Sequence, residues 1–376
     1  MKIIKVELCF NMSVLFCVQL PPPIHGASVV NKTISDSSVI NAAFDTRYVN
    51  ISPASEIADL GKVSFKKVLA TAKIYQLAIQ TYLTFKPRLV YLTLSPHGAA
   101  FYKDGLLAIL LKMLGAKLVF HMHGKGIATV AKKSRFKKAL YRVVFKGVDV
   151  IHLSESLFYD VEPVRDQVRS LVAVPNSVQA PPEVAVEKDE NIFTFVYLSN
   201  LVRTKGADVL VRAAALMPKH LQDKFQVKIV GKESDKEYTD EIQKLLDENE
   251  LNNVHFIGPK YGDEKYLELC SADVFVLPTR FKNECFPLTI LEAMSCGIAV
   301  ISTQEGAIPT IVENGMTGDI LDECTPEVLA EVMIKYIENP DYLKACGKAG
   351  REKFSAHYTP QVFEEKLTLA LKTFAK

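Results

Sequence analysis

No Cys-x-x-Cys pair occurs among the seven cysteines of this 376-residue chain, and their positions (Cys9, Cys17, Cys270, Cys285, Cys296, Cys324, Cys346) are scattered. That pattern argues against zinc ribbons, thioredoxin-like redox centres and a disulfide framework, and for reduced thiols in a cytosolic chain. Nor is there a run of the roughly 20 nearly uncharged residues that a membrane span needs. The most apolar stretch, Gly105 to Leu114, contains Lys112 and lies between Asp104 and Lys117, so it reads as a buried helix. Residues 1–20 carry Lys2, Lys5 and Glu7 with no small-residue cleavage site after them, which argues against a secretory leader. A cleaner strand begins at Met12, and residues 1–11 read as an extension.

What is present describes a globular protein of two domains. Hydrophobic residues make up 48% and charged residues 23%, enough for a sizeable core and too apolar for disorder. Residues 1–180 carry 23 Lys and Arg against 11 Asp and Glu, whereas the remainder carries 22 against 32. The halves are therefore expected to face different partners, the basic half attracting phosphate-bearing substrates, an anionic membrane surface or nucleic acid.

Short β-branched runs alternate with longer helical stretches, the signature of parallel sheets with crossover helices. The first half has such runs at 13–20, 88–94, 116–122, 148–153 and 171–174, and the second at 193–198, 226–230, 254–257, 274–277 and 299–302. Between the two series, residues 179–190 contain Pro181, Pro182 and a cluster of charges, which reads as a linker. The expected fold is α/β, two doubly wound parallel-sheet Rossmann-like domains facing a central cleft lined by the carboxyl ends of their strands.

The most informative segment runs from Leu277 to Gly297. A buried strand ends at Pro278, a polar loop follows, and a helix begins near Pro287. Main-chain N–H groups at Phe286, Leu288 and Thr289, added to the helix dipole, make an anion site suited to phosphate. Glu284 and Glu292, eight residues apart, can accept hydrogen bonds from two parts of one polyhydroxylated ligand. This element resembles the Glu-x7-Glu element of the family 4 retaining glycosyltransferases of GT-B fold. Asn200-Leu-Val-Arg-Thr-Lys-Gly206 resembles their donor pyrophosphate loop, Val172 to Asn176 the end of their first domain, and Gly306 to Pro309 a family turn.

The resemblance implies an acceptor-binding domain over 1–178, a linker over 179–192 and a sugar-nucleotide domain over 193–376, the last helix being left open to pack back on the first domain. It gives Glu284 the sugar hydroxyls, Glu292 the ribose hydroxyls, and Lys205 the pyrophosphate charge; Phe286, Pro287, Leu288 and Thr289 hold phosphate and sugar. The family usually has Arg where this chain has Asn200 and Gly where it has Cys285; Arg203, at a different offset, is the candidate for the missing guanidinium. In the first half, Pro21 to Gly26 resembles the family's glycine-containing loop, making His25 and Gly26 candidates for ligand contact. The family's sugar-approaching His matches His123. His121 reads as a packed strand residue, His97 as a cap or packing residue at least as well as a ligand contact, and Gly124-Lys-Gly126 as a turn. His121 and His123 have a metal-ligand spacing, but no third ligand lies nearby in sequence and zinc is not expected.

Lys132, Lys133, Arg135, Lys137 and Lys138 lead into a helical stretch with Phe136, Tyr141 and Phe145. The alternatives are a solvated face and an amphipathic contact with anionic lipid, the second favoured by the family's lipid-linked acceptors. No Asp-x-Asp occurs, so the divalent-metal motif of the other main glycosyltransferase fold is missing and no metal or other cofactor is expected. The reading is a cytoplasmic, metal-independent, retaining glycosyltransferase, peripheral on the inner membrane face if the basic helix meets lipid. It moves a sugar from a nucleotide-diphosphate donor to a glycan or lipid-linked hydroxyl, with no nucleic-acid partner. A sugar-nucleotide epimerase and a degenerate sugar-nucleotide-binding subunit are the alternatives.

Overall fold

The computed structural model describes residues 12–52, 65–182, 188–189 and 191–376. The expected extension at 1–11 and, within the expected linker, residues 183–187 and 190 lie outside the described residues. The chain divides into two compact units, Met1–Pro175 with Pro360–Lys376, and Asn176–Thr359. This moves the boundary from 178 and 193 to between Pro175 and Asn176. The reason is hydrogen bonding: Val178 donates its N–H to the Tyr358 carbonyl (3.3 Å) and Tyr266 its hydroxyl to the Gln179 carbonyl (2.7 Å), so Val178, expected at the end of the first domain, and Gln179, expected in the linker, are held in the second unit.

The first unit contains β1 (Ser13–Val18), β2 (Asp45–Asn50), β3 (Leu89–Thr93), β4 (Leu118–His121), β5 (Val148–His152) and β6 (Val168–Ala173), in the order β2-β1-β3-β4-β5-β6. The second contains β7 (Phe193–Leu198), β8 (Phe225–Val230), β9 (Val254–Gly258), β10 (Val274–Val276), β11 (Ala299–Ser302) and β12 (Gly318–Ile320), in the order β12-β11-β10-β7-β8-β9. Every pairing is parallel. All five residues of β3 are buried, as strands covered by helices on both faces require. Two strands carry no such run and were not expected. In β2, at one sheet edge, Val49 alone is buried, and β12 is three residues long.

In each sheet the first strand lies between two neighbours reached by opposite crossovers. Such switch points, β1 beside β3 and β7 beside β10, open a crevice at the strand carboxyl ends where open α/β sheets take ligands. The helix Pro360–Ala375 completes the first unit: Phe363, Leu367 and Leu371 are fully buried, and Arg88 Nε donates to the Ala375 carbonyl at 2.7 Å. Leu367→Ala is therefore expected to cost about 2–5 kcal/mol. The loss should appear in hydrogen exchange as reduced protection of β1–β6; protection lost from β7–β12 instead would contradict this assignment.

Candidate functional site

At the β7/β10 switch point three loops are knitted together by main chain. After β7, the chain passes exposed Asn200, makes a turn at Arg203–Lys205 and reaches Gly206, whose φ of +81° is left-handed. A Cβ there would lie 2.1 Å from the Pro278 carbonyl oxygen, so only glycine lets this loop lie against the end of β10. Arg280 N–H then donates to the Thr204 carbonyl at 2.7 Å. The third loop follows β11: Gly306, at φ +62°, would place a Cβ 2.3 Å from the Glu284 carbonyl oxygen, and Ala307 N–H donates to the Cys285 carbonyl at 2.8 Å. The backbone carrying Glu284 is thus fixed from both sides.

On this platform Lys205 Nζ pairs with Glu284 Oε2 and lies 5.0 Å from the centre of the Phe281 ring. Thr279 Oγ1 also donates to Glu284 Oε2, at 3.4 Å. Glu284 is 7% exposed, so its charge is matched inside the unit rather than by bulk water. Immediately beyond, the helix Leu288–Cys296 starts with Pro287 at its N-cap, no side chain capping it and no acidic residue in its first turn. The Leu288 and Thr289 amides keep the positive end of the dipole uncompensated by any side chain. Phe286 is buried, its ring 6.0 Å from that of Tyr358.

Glu292, on the same helix, is 8% exposed and pairs with Lys265 Nζ at 2.6 Å. Burial raises its carboxyl above the ordinary value, and the Lys265 charge and hydrogen bond work against that rise. Sequence reading missed Lys265. Gly262 followed by Asp263 and Glu264 marks the start of its helix, Gly262–Cys270, but a partner 27 residues away leaves no local signal. The Arg203 guanidinium pairs with Glu241 at 2.7 Å and stacks over Tyr238, with 48% of its side chain exposed.

The first-unit candidates belong to the loops after β1, β3 and β4. Gly26 opens the helix Gly26–Asp36, and His25 caps it: His25 Nδ1 accepts from Ser28 N–H at 3.3 Å while Ser28 Oγ accepts from His25 N–H at 2.9 Å. His25 is thus a reciprocal capping residue. His97 stands at the N-cap of Gly98–Met113 without a capping bond and packs its ring on Gly126, where a Cβ would lie 2.5 Å from its Cδ2. Asp160 accepts from the N–H groups of Gly126, Ile127 and Ala128 at 2.9, 3.1 and 3.0 Å, so these amides are already taken within the first unit.

His121 is fully buried, hydrogen-bonded through Nδ1 to the Tyr91 hydroxyl and held well below the usual imidazole range by burial. It is a neutral packed residue. His123 follows it, half-buried, with its ring 4.1 Å from that of His121. Among the described residues no group of three or more His, Cys, Asp or Glu is arranged to hold a metal ion, and no helix is long and apolar enough to cross a membrane.

The basic segment differs from the expected amphipathic face. Ser134 ends one helix, Ile127–Lys133, and caps the next, Arg135–Phe145. Tyr141 and Phe145 are buried in the core, with the Tyr141 ring tilted against that of Phe101 and their centres 4.1 Å apart, so neither can meet lipid. Phe136 remains, 81% exposed, among exposed Lys132, Lys133, Arg135, Lys137 and Lys138.

Residues 182–353 match the sequence family described as glycosyl transferases group 1. The matched segment lies within the second unit. An uncharacterized glycosyltransferase of Methanocaldococcus jannaschii is 25% identical over 269 residues, 66% of this chain and 67% of its own length. A GDP-mannose-dependent monoacylated alpha-(1-6)-phosphatidylinositol monomannoside mannosyltransferase of Corynebacterium glutamicum is 29% identical over 182 residues, 46% of each chain; this chain spans under half of that relative's length. In fold the chain is similar to a glycosyltransferase from Rickettsia africae (TM-score 0.76, 18% identity, 98% of this chain and 100% of the other). It is also similar to Anabaena HepE in complex with UDP-glucose (TM-score 0.69, 18% identity, 96% and 100%). The fold is that of the GT-B glycosyltransferases.

The Lys265–Glu292 pair generates a test. Lys265→Met is expected to destabilise the second unit by on the order of 2 kcal/mol near neutral pH, below the ~3–5 kcal/mol of a fully enclosed pair because part of the lysine is exposed. Burial raises the folded-state value of Glu292, so its ionised form is the costly one. Without Lys265, proton uptake relieves that cost, and the deficit should shrink as pH falls through the raised value and be largest at alkaline pH. Urea unfolding of both proteins between about pH 5 and pH 8 checks this; a pH-independent deficit would mean that Lys265 does not act through the carboxylate.

Proposed function

We propose that the protein transfers a glycosyl group from a nucleoside-diphosphate donor to a hydroxyl of a glycan or lipid-linked acceptor, with retention at the anomeric carbon and without a divalent metal, as in family 4. The observation that carries this reading is the Lys205–Glu284 pair on the three-loop platform, beside an uncapped helix N-terminus. Breaking the glycosyl–phosphate bond leaves negative charge on the β-phosphate, and a positive site fixed in advance stabilises that charge as it develops. An ammonium has three N–H donors; Glu284 takes one and two remain for phosphate oxygens, supplemented by the Leu288 and Thr289 amides. Glu284 accepts a hydroxyl of the transferred sugar, and Glu292 accepts the ribose hydroxyls. Asn200, Phe286 and Pro287 complete the donor contacts.

Same-face attack, with the departing phosphate oxygen taking the acceptor proton, accounts for retention without an enzymatic nucleophile. Anabaena HepE takes UDP-glucose in its own complex, and the corynebacterial relative is named for GDP-mannose and a phosphatidylinositol-based acceptor; both support a sugar nucleotide here, and the second a lipid-linked acceptor. The matched family and these relatives are transferases, so an epimerase is not favoured.

A panel of UDP-, GDP- and ADP-sugars screened by thermal shift identifies the donor, since ligand binding raises apparent stability. With that donor, turnover should survive excess chelator, the product should keep the donor's anomeric configuration by NMR, and Lys205→Ala should lose about 100-fold or more in kcat. Inversion, loss of activity with chelator, or a covalent adduct on Glu284 in intact-mass spectra would overturn the mechanism. Absence of turnover with bound donor would favour a binding subunit.

Peripheral attachment to the inner face of the cytoplasmic membrane is part of the same proposal, supported by exposed Phe136 and the lysines around it. Each basic residue near an anionic surface contributes about 1 kcal/mol. Changing Lys132, Lys133, Lys137 and Lys138 to Gln should release the protein from phosphatidylglycerol vesicles in sedimentation. Equal sedimentation of both forms would leave the residues a solvated face.

A further inference from the structure

Cys270 is the last residue of the helix Gly262–Cys270 and Cys296 the last of Leu288–Cys296, and their sulfurs lie 2.7 Å apart. That is within about 0.7 Å of a disulfide bond length. Both residues are free thiols and partly exposed, whereas Cys17, Cys285 and Cys346 are buried. The hydrogen bond shared with Cys296 and the nearby charge of Arg351 hold the Cys270 thiol below its ordinary value against the opposing effect of burial. Cys270 is therefore the better nucleophile of the two, since the thiolate is the reactive form. The two helices already share one link nearer their N-termini, the ion pair of Lys265 with Glu292.

We propose that Cys270 and Cys296 are a reversible dithiol–disulfide site, oxidised by a low-molecular-weight disulfide, that staples the helix bearing Glu292 to the helix bearing Lys265. The Cys270 thiolate attacks one sulfur of the small disulfide, forming a mixed disulfide and expelling one small thiolate. The Cys296 thiol then gives its proton to solvent and attacks the Cys270 sulfur; the intramolecular bond forms as the second small thiolate leaves. The protein loses two electrons and two protons, and the small disulfide is reduced to two thiols. The staple closes a chain segment across the second unit and so restrains its unfolded state more than its folded one. The proposal does not depend on which sugar, if any, is transferred.

The full chain is equilibrated with graded ratios of oxidised to reduced glutathione, quenched by alkylation, digested and mapped by mass spectrometry. A peptide linking Cys270 to Cys296 should accumulate with a loss of about two mass units, while Cys17, Cys285, Cys324 and Cys346 stay alkylated. The oxidised protein should melt roughly 5 °C or more above the reduced one, and Cys270→Ser and Cys296→Ser should each abolish both effects. Continued alkylation of both cysteines at every ratio, glutathione retained on either without closure, pairing with a different cysteine, or an unchanged melting temperature would each overturn the staple.

Discussion

The contact on which the second unit's chemistry depends is main chain against main chain. Gly206 lies on the Pro278 carbonyl, Gly306 lies on the Glu284 carbonyl, and Thr204 and Cys285 each accept one backbone hydrogen bond from the facing loop. Loops that would otherwise fluctuate independently are thereby referenced to β7, β10 and β11, which are buried strands. Rigid strands make the best supports for charged groups, because a buried ion pair is useful only while its geometry holds. Lys205 and Glu284 inherit their mutual position from glycines that carry no chemistry of their own.

Much of this was legible in the chain, for identifiable reasons. Ten strands carry apolar or β-branched runs and could be placed; β2 and β12 could not, because Asp45–Asn50 mixes polar and charged residues with few apolar ones and Gly318–Ile320 has a single apolar residue. The Glu284 to Glu292 segment was readable because strand end, loop and helix start fall within one stretch of sequence. What escaped was the set of long-range partners. Glu241 takes Arg203, Lys265 takes Glu292, and Asp160 occupies the amides after Lys125, each from a separate element. A charge read in isolation looks available, and tertiary structure decides whether it is.

The histidines of the first unit show the same rule applied to a single residue type. His25, His97 and His121 all follow or end strands at positions where ligand contact is plausible from sequence. The structure assigns the first to helix capping, the second to packing on a glycine and the third to a buried hydrogen bond with Tyr91. The basic segment divides similarly: its apolar members Tyr141 and Phe145 serve the core, and its lysines, with Phe136, face outward.

The helix Pro360–Ala375 has a consequence for biogenesis. Because it completes the first unit although it comes last in sequence, the second unit is an insertion between two parts of the first. During synthesis, units fold as their residues emerge, and Asn176–Thr359 is contiguous and can close on its own. The first unit, although begun earlier, must wait with the apolar surface that receives Phe363, Leu367 and Leu371 uncovered until the final helix leaves the ribosome. The later-made half can therefore finish first, and the stretch of greatest exposure to aggregation falls on the basic half while it waits.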